Sequence, residues 1–255
     1  MSDTVIAAQL YTLREFLKTP ADIAAGLKKV KRTGYDAVQV SGVGPIEPKE
    51  LRRIADDAGV EICATHVRGK KVFEQTEQLI EEHVILGCKN PAIATNPAEM
   101  GGDLAGVMNF VKQADRVGRR LREAGMTFSY HNHHCEFEKL GGRLIMDILY
   151  GETDPRYLQA ELDVYWIQYG GGDPVAWIRK LAGRQTLIHL KDMTVRGDRP
   201  IYAEVGEGNL NWPAILEAAR AAGVRWYIVE QDVCERDPFE SLAISLRNLR
   251  GMGLK

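Results

Sequence analysis

Five times along this chain the same phrase returns: a run of helical character, a glycine, then a short β-rich run. It reads Thr33-Gly34-Tyr35-Asp36 before residues 37–40, Ala58-Gly59-Val60 before 61–65, and Leu86-Gly87-Cys88 before 91–94. It reads Ala124-Gly125-Met126 before 127–130 and Ala222-Gly223-Val224 before 226–229. A glycine just past a helix takes the left-handed conformation that other residues avoid, so it ends the helix and releases the chain into a strand. One αβ unit repeated this often restricts the fold to strands alternating with helices around a parallel sheet. Val5-Ile6-Ala7-Ala8, the run 157–162 and Thr186-Leu187-Ile188-His189 bring the expected strands to eight, beginning near residues 5, 37, 61, 90, 127, 158, 186 and 226. Helical patterns fill the intervals at 22–32, 48–57, 72–86, 104–124, 144–150, 174–181, 212–222 and 239–250. Asp173-Pro174 and Asp237-Pro238 mark two helix starts, with Asp as N-cap and Pro as first helical residue.

Eight strands alternating with eight helices predict a single α/β domain over residues 1–255, a (β/α)8 TIM barrel. A doubly wound sheet also alternates, but its first βα turn often carries a glycine-rich phosphate motif, and here that turn reads Gln9-Leu10-Tyr11-Thr12. The 255 residues match the length one such barrel uses, and no Ser/Pro-rich linker divides them. With 33 basic and 35 acidic residues the net charge is −2, which gives no bulk attraction to a phosphate backbone and argues against nucleic acid as a partner. No apolar stretch reaches 18 residues, so no membrane span is expected. Residues 1–9 lack a basic, apolar leader. Cys63, Cys88, Cys135 and Cys234 stand singly, as free thiols do in a reducing compartment, so the expected location is the cytoplasm. A homo-oligomer or partner subunit is compatible with all of this.

In a barrel the reacting groups sit where strands end, at the C-terminal face. The polar residues expected there are Gln9, Tyr11 and Thr12; Gln39 and Ser41; His66; Thr95 and Asn96; residues 130–136; residues 161–166; His189, Lys191 and Asp192; and Glu230, Gln231 and Asp232. Five of the six histidines (His66, His131, His133, His134 and His189) fall at these ends, and only His83 falls in a helix. Glu136, Asp163 and Glu230 share the same face. Carboxylates are rarely buried without a partner, and a divalent cation is an effective one. Imidazole mixed with carboxylate suits Mn²⁺, Zn²⁺, Co²⁺ or Fe²⁺ better than Ca²⁺. His134 and Cys135 are expected to turn outward or support the loop. Asp163 stands in poor context for a helix cap. Gly170-Gly171-Gly172 reads as loop flexibility, and residues 205–212 read equally well as a lid, a phosphate loop or a plain turn.

Tyr130-His131-Asn132-His133 with Glu136-Phe137, Glu161-Leu162-Asp163-Val164-Tyr165-Trp166, His189-Leu190-Lys191-Asp192, Val205-Gly206-Glu207-Gly208-Asn209 and Val229-Glu230-Gln231-Asp232 together resemble the sugar phosphate isomerase/epimerase family, of the xylose isomerase-like barrel superfamily. The resemblance runs from Gln9 to the last helix. It implies one divalent metal at the barrel mouth, Mn²⁺ first, with Zn²⁺, Co²⁺, Fe²⁺ or Mg²⁺ as alternatives. It carries Asp163, His189 and Glu230 over as ligands. Strand five departs from the pattern: epimerase members have a glutamate at that strand end, where this chain has His131. Glu136, the nearest acid, is expected as the fourth ligand, with His133 or His131 as substitutes. A His-Asn-His strand five looks like inosose dehydratases and enzymes that eliminate from 3-keto-sugars.

In all of these a proton leaves a carbon next to a carbonyl. The resulting enolate is reprotonated by an isomerase or epimerase, and expels a β-leaving group in a lyase. The expectation is thus a metal-dependent sugar isomerase or epimerase, with a dehydratase or β-eliminase as alternative and a non-catalytic sugar-binding barrel as a third reading. The superfamily's three-zinc abasic-site endonuclease is disfavoured by too few extra ligands and no basic excess. His131 or His133 is the expected base, Glu230 a ligand and second base, and Lys191 a donor to substrate oxygens. Gln9, Tyr11, His66, Tyr165 and Trp166 are expected to bind a small carbohydrate. Residues 231–237 after strand eight hold three acids and one arginine, so the substrate is expected to be neutral, not a phosphate.

Overall fold

The computed structural model describes residues 4–94 and 100–254. Eight parallel strands close into a barrel: β1 (Val5–Gln9), β2 (Ala37–Val40), β3 (Glu61–Val67), β4 (Pro91–Ala94), β5 (Ser129–His131), β6 (Gln159–Asp163), β7 (Leu187–Leu190) and β8 (Trp226–Val229). Each pairs with its sequence neighbour, and β8 returns to β1, with Val5 opposite Trp226 and Ala8 opposite Val229. The helices are α1 (Pro20–Thr33), α2 (Pro48–Ala58), α3 (Gly69–Glu74), α4 (Thr76–Leu86), α5 (Leu104–Glu123), α6 (Ile145–Glu152), α7 (Val164–Tyr169), α8 (Pro174–Lys180), α9 (Trp212–Ala221) and α10 (Pro238–Gly251). All five repeat glycines take positive φ, from 65° at Gly87 to 111° at Gly34, so the phrase that defined the repeat is a set of left-handed helix stops.

Because side chains alternate across a strand, each strand divides its residues between barrel interior and helix layer. Ile188, Leu190, Tyr227, Val229, Ala160 and Leu162 pack into the large cluster beneath the helices. The other parity faces inward. Ala7, Ala37, Ala64, Leu187, Trp226 and Ile228 form a small apolar cluster at the N-terminal end of the barrel. Two residues further along the same strands the chain turns polar: Gln9, Gln39, His66, His189 and Glu230. The interior therefore runs from an apolar floor to a polar mouth. The floor is tied by buried Arg184, whose guanidinium donates to the carbonyls of Leu158 (2.8 Å) and Tyr150 (2.6 Å) and to Thr153 Oγ1 (2.5 Å).

Four local features depart from the sequence expectations. The pattern at 72–86 is two helices that break at Gln75, where φ is −130°. A 3₁₀ turn, Leu10–Phe16, follows β1 directly. Residues 164–169 form α7, capped by Asp163, whose Oδ1 accepts from the amides of Tyr165 (2.9 Å) and Trp166 (3.2 Å); this corrects the reading of Asp163 as an unlikely cap. An antiparallel hairpin, Asp192–Arg196 with Arg199–Ala203, stands over the mouth after β7. Thr95 and Asn96, expected at the end of β4, lie outside the described residues.

Candidate metal centre

The inward parity of β5 to β8 delivers four potential ligands to one point. His131, Asp163, His189 and Glu230 are all buried, and one potential ligand atom from each lies within 4.8 Å of the others. His189 Nδ1 is 2.9 Å from Glu230 Oε2 and 3.9 Å from Asp163 Oδ2, and His131 Nε2 is 3.4 Å from Asp163 Oδ2. Asp163 divides its work. Oδ1 caps α7, while Oδ2 faces the cluster, and its own amide donates to Asn132 Oδ1 at 3.0 Å, which pins the ends of β5 and β6 together.

Lys191 stands over this group. Its Nζ lies 2.6 Å from Asp232 Oδ2, 2.9 Å from Glu230 Oε2 and 3.1 Å from Asp163 Oδ2, so its three N–H bonds meet three carboxylates. Burial would lower the ammonium's pKa, but those acids outweigh it and hold the group well above the ordinary lysine value. Burial likewise opposes ionisation of Glu230, yet Lys191 and His189 keep its carboxyl well below the usual range. For His189 burial is again outweighed, by Glu161 and Glu230, and the ring is raised to about 10. His131 and His133 go the other way. Burial first, then His189 beside His131 and Lys191 beside His133, pushes both down and leaves neutral imidazoles. Asp163, Glu230, Glu161 and half-buried Asp232 face Lys191 and the raised His189 ring, four carboxylates against two cations, and this net negative setting is one in which a divalent cation is stabilising.

Above the group opens a cavity of about 410 Å³ lined by Tyr11, Ser41, His66, Arg68, His131, His133, Trp166, Lys191, Glu230 and Asp232, among others. Of the expected substrate contacts, Tyr11, His66 and Trp166 stand on this wall. Gln9 and Tyr165 do not. Gln9 is buried beneath, donating to Gln39 Oε1 at 2.8 Å, and Tyr165 is stacked on Tyr202 of the hairpin with ring centroids 4.5 Å apart. Nor does Glu136 join the ligand group. Its carboxylate accepts from Tyr130 Oη (2.7 Å) and from the amide of His133 (2.8 Å), so His131 is the strand-five member and Glu136 shapes the turn that carries His133. His134 is exposed against Trp166 and Tyr169, as expected of a loop residue.

Three residues here stood among the expected strand-end groups but carried no assigned role: Gln39, Glu161 and Asp232. Glu161 had a signal, because it lies two residues before Asp163 on one strand and so must share its inward face. The loop at 205–212 resolves as an anchored turn. Asp192 accepts from the amides of Gly206 (2.9 Å), Gly208 (3.0 Å) and Leu210 (3.2 Å) and from Trp212 Nε1, so a carboxylate of the chain itself fills that nest of amides.

A family of xylose isomerase-like TIM barrels matches residues 27–251. An inosose dehydratase from Lacticaseibacillus casei is 24% identical over 245 residues, covering 81% of this chain and 82% of its own. The structure of a sugar phosphate isomerase/epimerase from Parabacteroides distasonis superposes with a TM-score of 0.82 at 25% identity, covering 98% of each chain. A xylose isomerase-like barrel protein from Mycobacterium smegmatis, solved in complex with magnesium, superposes at 0.78 with 14% identity, covering 99% of this chain and 98% of that one. Closed parallel barrel, polar mouth and family match agree, and the chain belongs to the xylose isomerase-like TIM barrel family.

Proposed function

We propose that this chain is a metal-dependent enzyme that removes the proton next to the carbonyl of a small keto-sugar, with loss of water as the outcome. The observation that carries the reading is the convergence of His131, Asp163, His189 and Glu230 at the floor of the mouth cavity. The donor set suits a divalent ion: two carboxylates, two imidazoles, and at His131 a buried Nδ1 with no hydrogen-bond partner among the described residues. Mn²⁺ is the first choice, with Mg²⁺, Zn²⁺, Co²⁺ and Fe²⁺ as alternatives. Bound there, the ion would supply Lewis-acid charge to a carbonyl oxygen and lower the cost of the negative charge that develops as the neighbouring C–H breaks.

The chain's own groups do the rest. With His131 in the ligand group, His133 takes the role of base. It is kept neutral by burial and lines the cavity, and its Nδ1 has no hydrogen-bond partner among the described residues. Having taken the proton, the imidazolium returns it either to the neighbouring carbon of the enediolate, which gives an isomer, or to the β-hydroxyl, which then leaves as water; an epimer requires a proton delivered to the opposite face by a second group. Lys191 presents fixed positive charge to the substrate's oxygens, and Glu230 stays ionised as ligand and second base. Trp166 and Tyr11 offer flat faces to a ring. The relatives named inosose dehydratase favour the dehydration branch, and the P. distasonis isomerase/epimerase supports reprotonation at carbon as the second reading. A neutral substrate fits a mouth whose amide nest is already filled by Asp192 and whose β8 loop is acidic. The four cysteines, free in the structure, suit the cytoplasm.

The test pairs metal analysis with turnover. Wild-type protein is expected to hold about one divalent ion and to dehydrate an inosose, with a lower kcat/KM for phosphorylated ketoses than for the free sugars. The double variant Asp163→Ala/Glu230→Ala should lose both metal and activity. Full metal occupancy in that variant places the ion elsewhere, and a preference for the phosphorylated sugar overturns the substrate class.

A further inference from the structure

Beneath the ligand group lies a second layer that the reaction does not itself employ. Glu161, wholly buried on β6, places Oε2 3.0 Å from His66 Nε2 and Oε1 3.3 Å from His189 Nε2. Gln39 on β2 donates to the same Oε1 at 2.6 Å, which turns its own Oε1 towards His189 Nε2, also 2.6 Å away. Gln9 completes the layer through Gln39. A carboxylate only accepts, so His66 must carry its proton on Nε2. His189 Nε2 faces two acceptors and carries one too, which leaves Nδ1 as the nitrogen turned towards Glu230 and Asp163.

The same imidazoles belong to two overlapping sets. One is the mixed group of His131, Asp163, His189 and Glu230. The other is His66, His131 and His189, whose ligand atoms also lie within 4.8 Å of one another. Three imidazoles form the kind of site that favours Zn²⁺, whereas the mixed group with two carboxylates favours harder ions such as Mn²⁺. The rings of His66 and His189 are stacked 5.3 Å apart at 13°, so only a small reorientation separates the two uses. While both Nε2–H groups donate into the Glu161 layer, those nitrogens are closed to a cation.

We infer that Glu161 is a positioning residue that, by holding the Nε2–H groups of His66 and His189, selects the mixed carboxylate–imidazole site over the three-histidine site and so sets the class of ion the barrel takes. The inference rests on the metal-centre reading above. Its consequence is a shift in ion preference when the carboxylate is removed. Second-layer partners of metal-bound histidines typically contribute about 10–100-fold in affinity.

The experiment is calorimetric titration of metal-free wild type, Glu161→Ala and Glu161→Gln with Mn²⁺ and Zn²⁺ separately, together with the visible spectrum of each protein loaded with Co²⁺. Expected is a fall in Mn²⁺ affinity of about 10–100-fold in Glu161→Ala, a rise in the Zn²⁺/Mn²⁺ affinity ratio, and stronger Co²⁺ d–d absorption as coordination moves to imidazole. Adding His66→Phe to Glu161→Ala should abolish the rise in that ratio, because the alternative site then lacks a ligand. Should Glu161→Ala not fold, Glu161→Gln decides, since its amide N–H opposes the His66 Nε2–H and releases that ring. Wild-type constants and spectra in the folded variant overturn the role of Glu161 while leaving the metal centre standing. A wild type that binds neither ion overturns both readings.

Discussion

Glu136 contributes nothing to the ligand group, and its hydrogen bonds point to a different duty. Tyr130 Oη and the His133 amide hold its carboxylate, and burial lifts its pKa despite them. The side chain fixes the backbone at His133, whose ring forms part of the cavity wall. Glu136→Gln should therefore keep the metal and the fold, since Gln Oε1 still accepts the His133 amide, yet lower kcat with little change in KM. His133→Ala should keep the metal and lose most of its turnover. Near-normal kcat in His133→Ala removes that imidazole from the chemistry. Spacing could not have assigned Glu136 correctly. The chain leaves strand geometry after His131 and enters a 3₁₀ turn, Cys135–Phe137, so the alternation that orders inward and outward residues has already ended. Asp163, His189 and Glu230 were legible because their strands lead straight to them. Glu161 was legible by the same rule, since it shares the face of Asp163.

At the scale of elements, the five left-handed glycines place every helix stop they announce, because that conformation is a local property of the residue. Gly170 and Gly172 have another cause. A Cβ at either would come within 2.6 Å of the Phe137 ring, so close packing, not flexibility, requires glycine there. The hairpin over the mouth and the turn at 205–212 depend on one distant side chain, which no local pattern reveals. Asp192, wholly buried at the foot of the hairpin, gathers the amides of Gly206, Gly208 and Leu210. Asn in its place has one acceptor oxygen and an NH₂ that clashes with donors. Asp192→Asn is expected to cost about 2–4 kcal/mol, read from the denaturation midpoint. Hydrogen exchange should speed up at the amides of 206–210 while the barrel strands stay protected. Unchanged exchange there would show that the turn holds its shape without the carboxylate.

Across the whole molecule the barrel interior divides stability from chemistry along its axis. The strand starts were readable because buried parallel strands are short apolar runs bounded by helix stops. The division itself follows from inward parity, with apolar residues first and polar residues two to four positions later. At the floor, Arg184 links the carbonyls of Tyr150 and Leu158 with Thr153, and removing it leaves buried acceptors unpaired. At the mouth, Asp163, Glu230 and Asp232 crowd around Lys191, with Glu161 and the raised His189 ring beneath, so four carboxylates face two cations and the cluster stays net negative without a metal. Asp163→Asn keeps the α7 cap, because Asn caps about as well as Asp, and removes one of those charges. In chelator-treated protein, Arg184→Met should therefore lower stability by about 3 kcal/mol or more, while Asp163→Asn should stay within about 1 kcal/mol of wild type or exceed it. With metal restored the order reverses. Arg184→Met, where it remains folded, should turn over normally, and Asp163→Asn should not. Denaturant midpoints in chelator and kcat with metal, measured on both variants, check the pair. A large loss of stability in metal-free Asp163→Asn would show that the mouth carboxylates hold the barrel together instead of waiting, under mutual repulsion, for a cation.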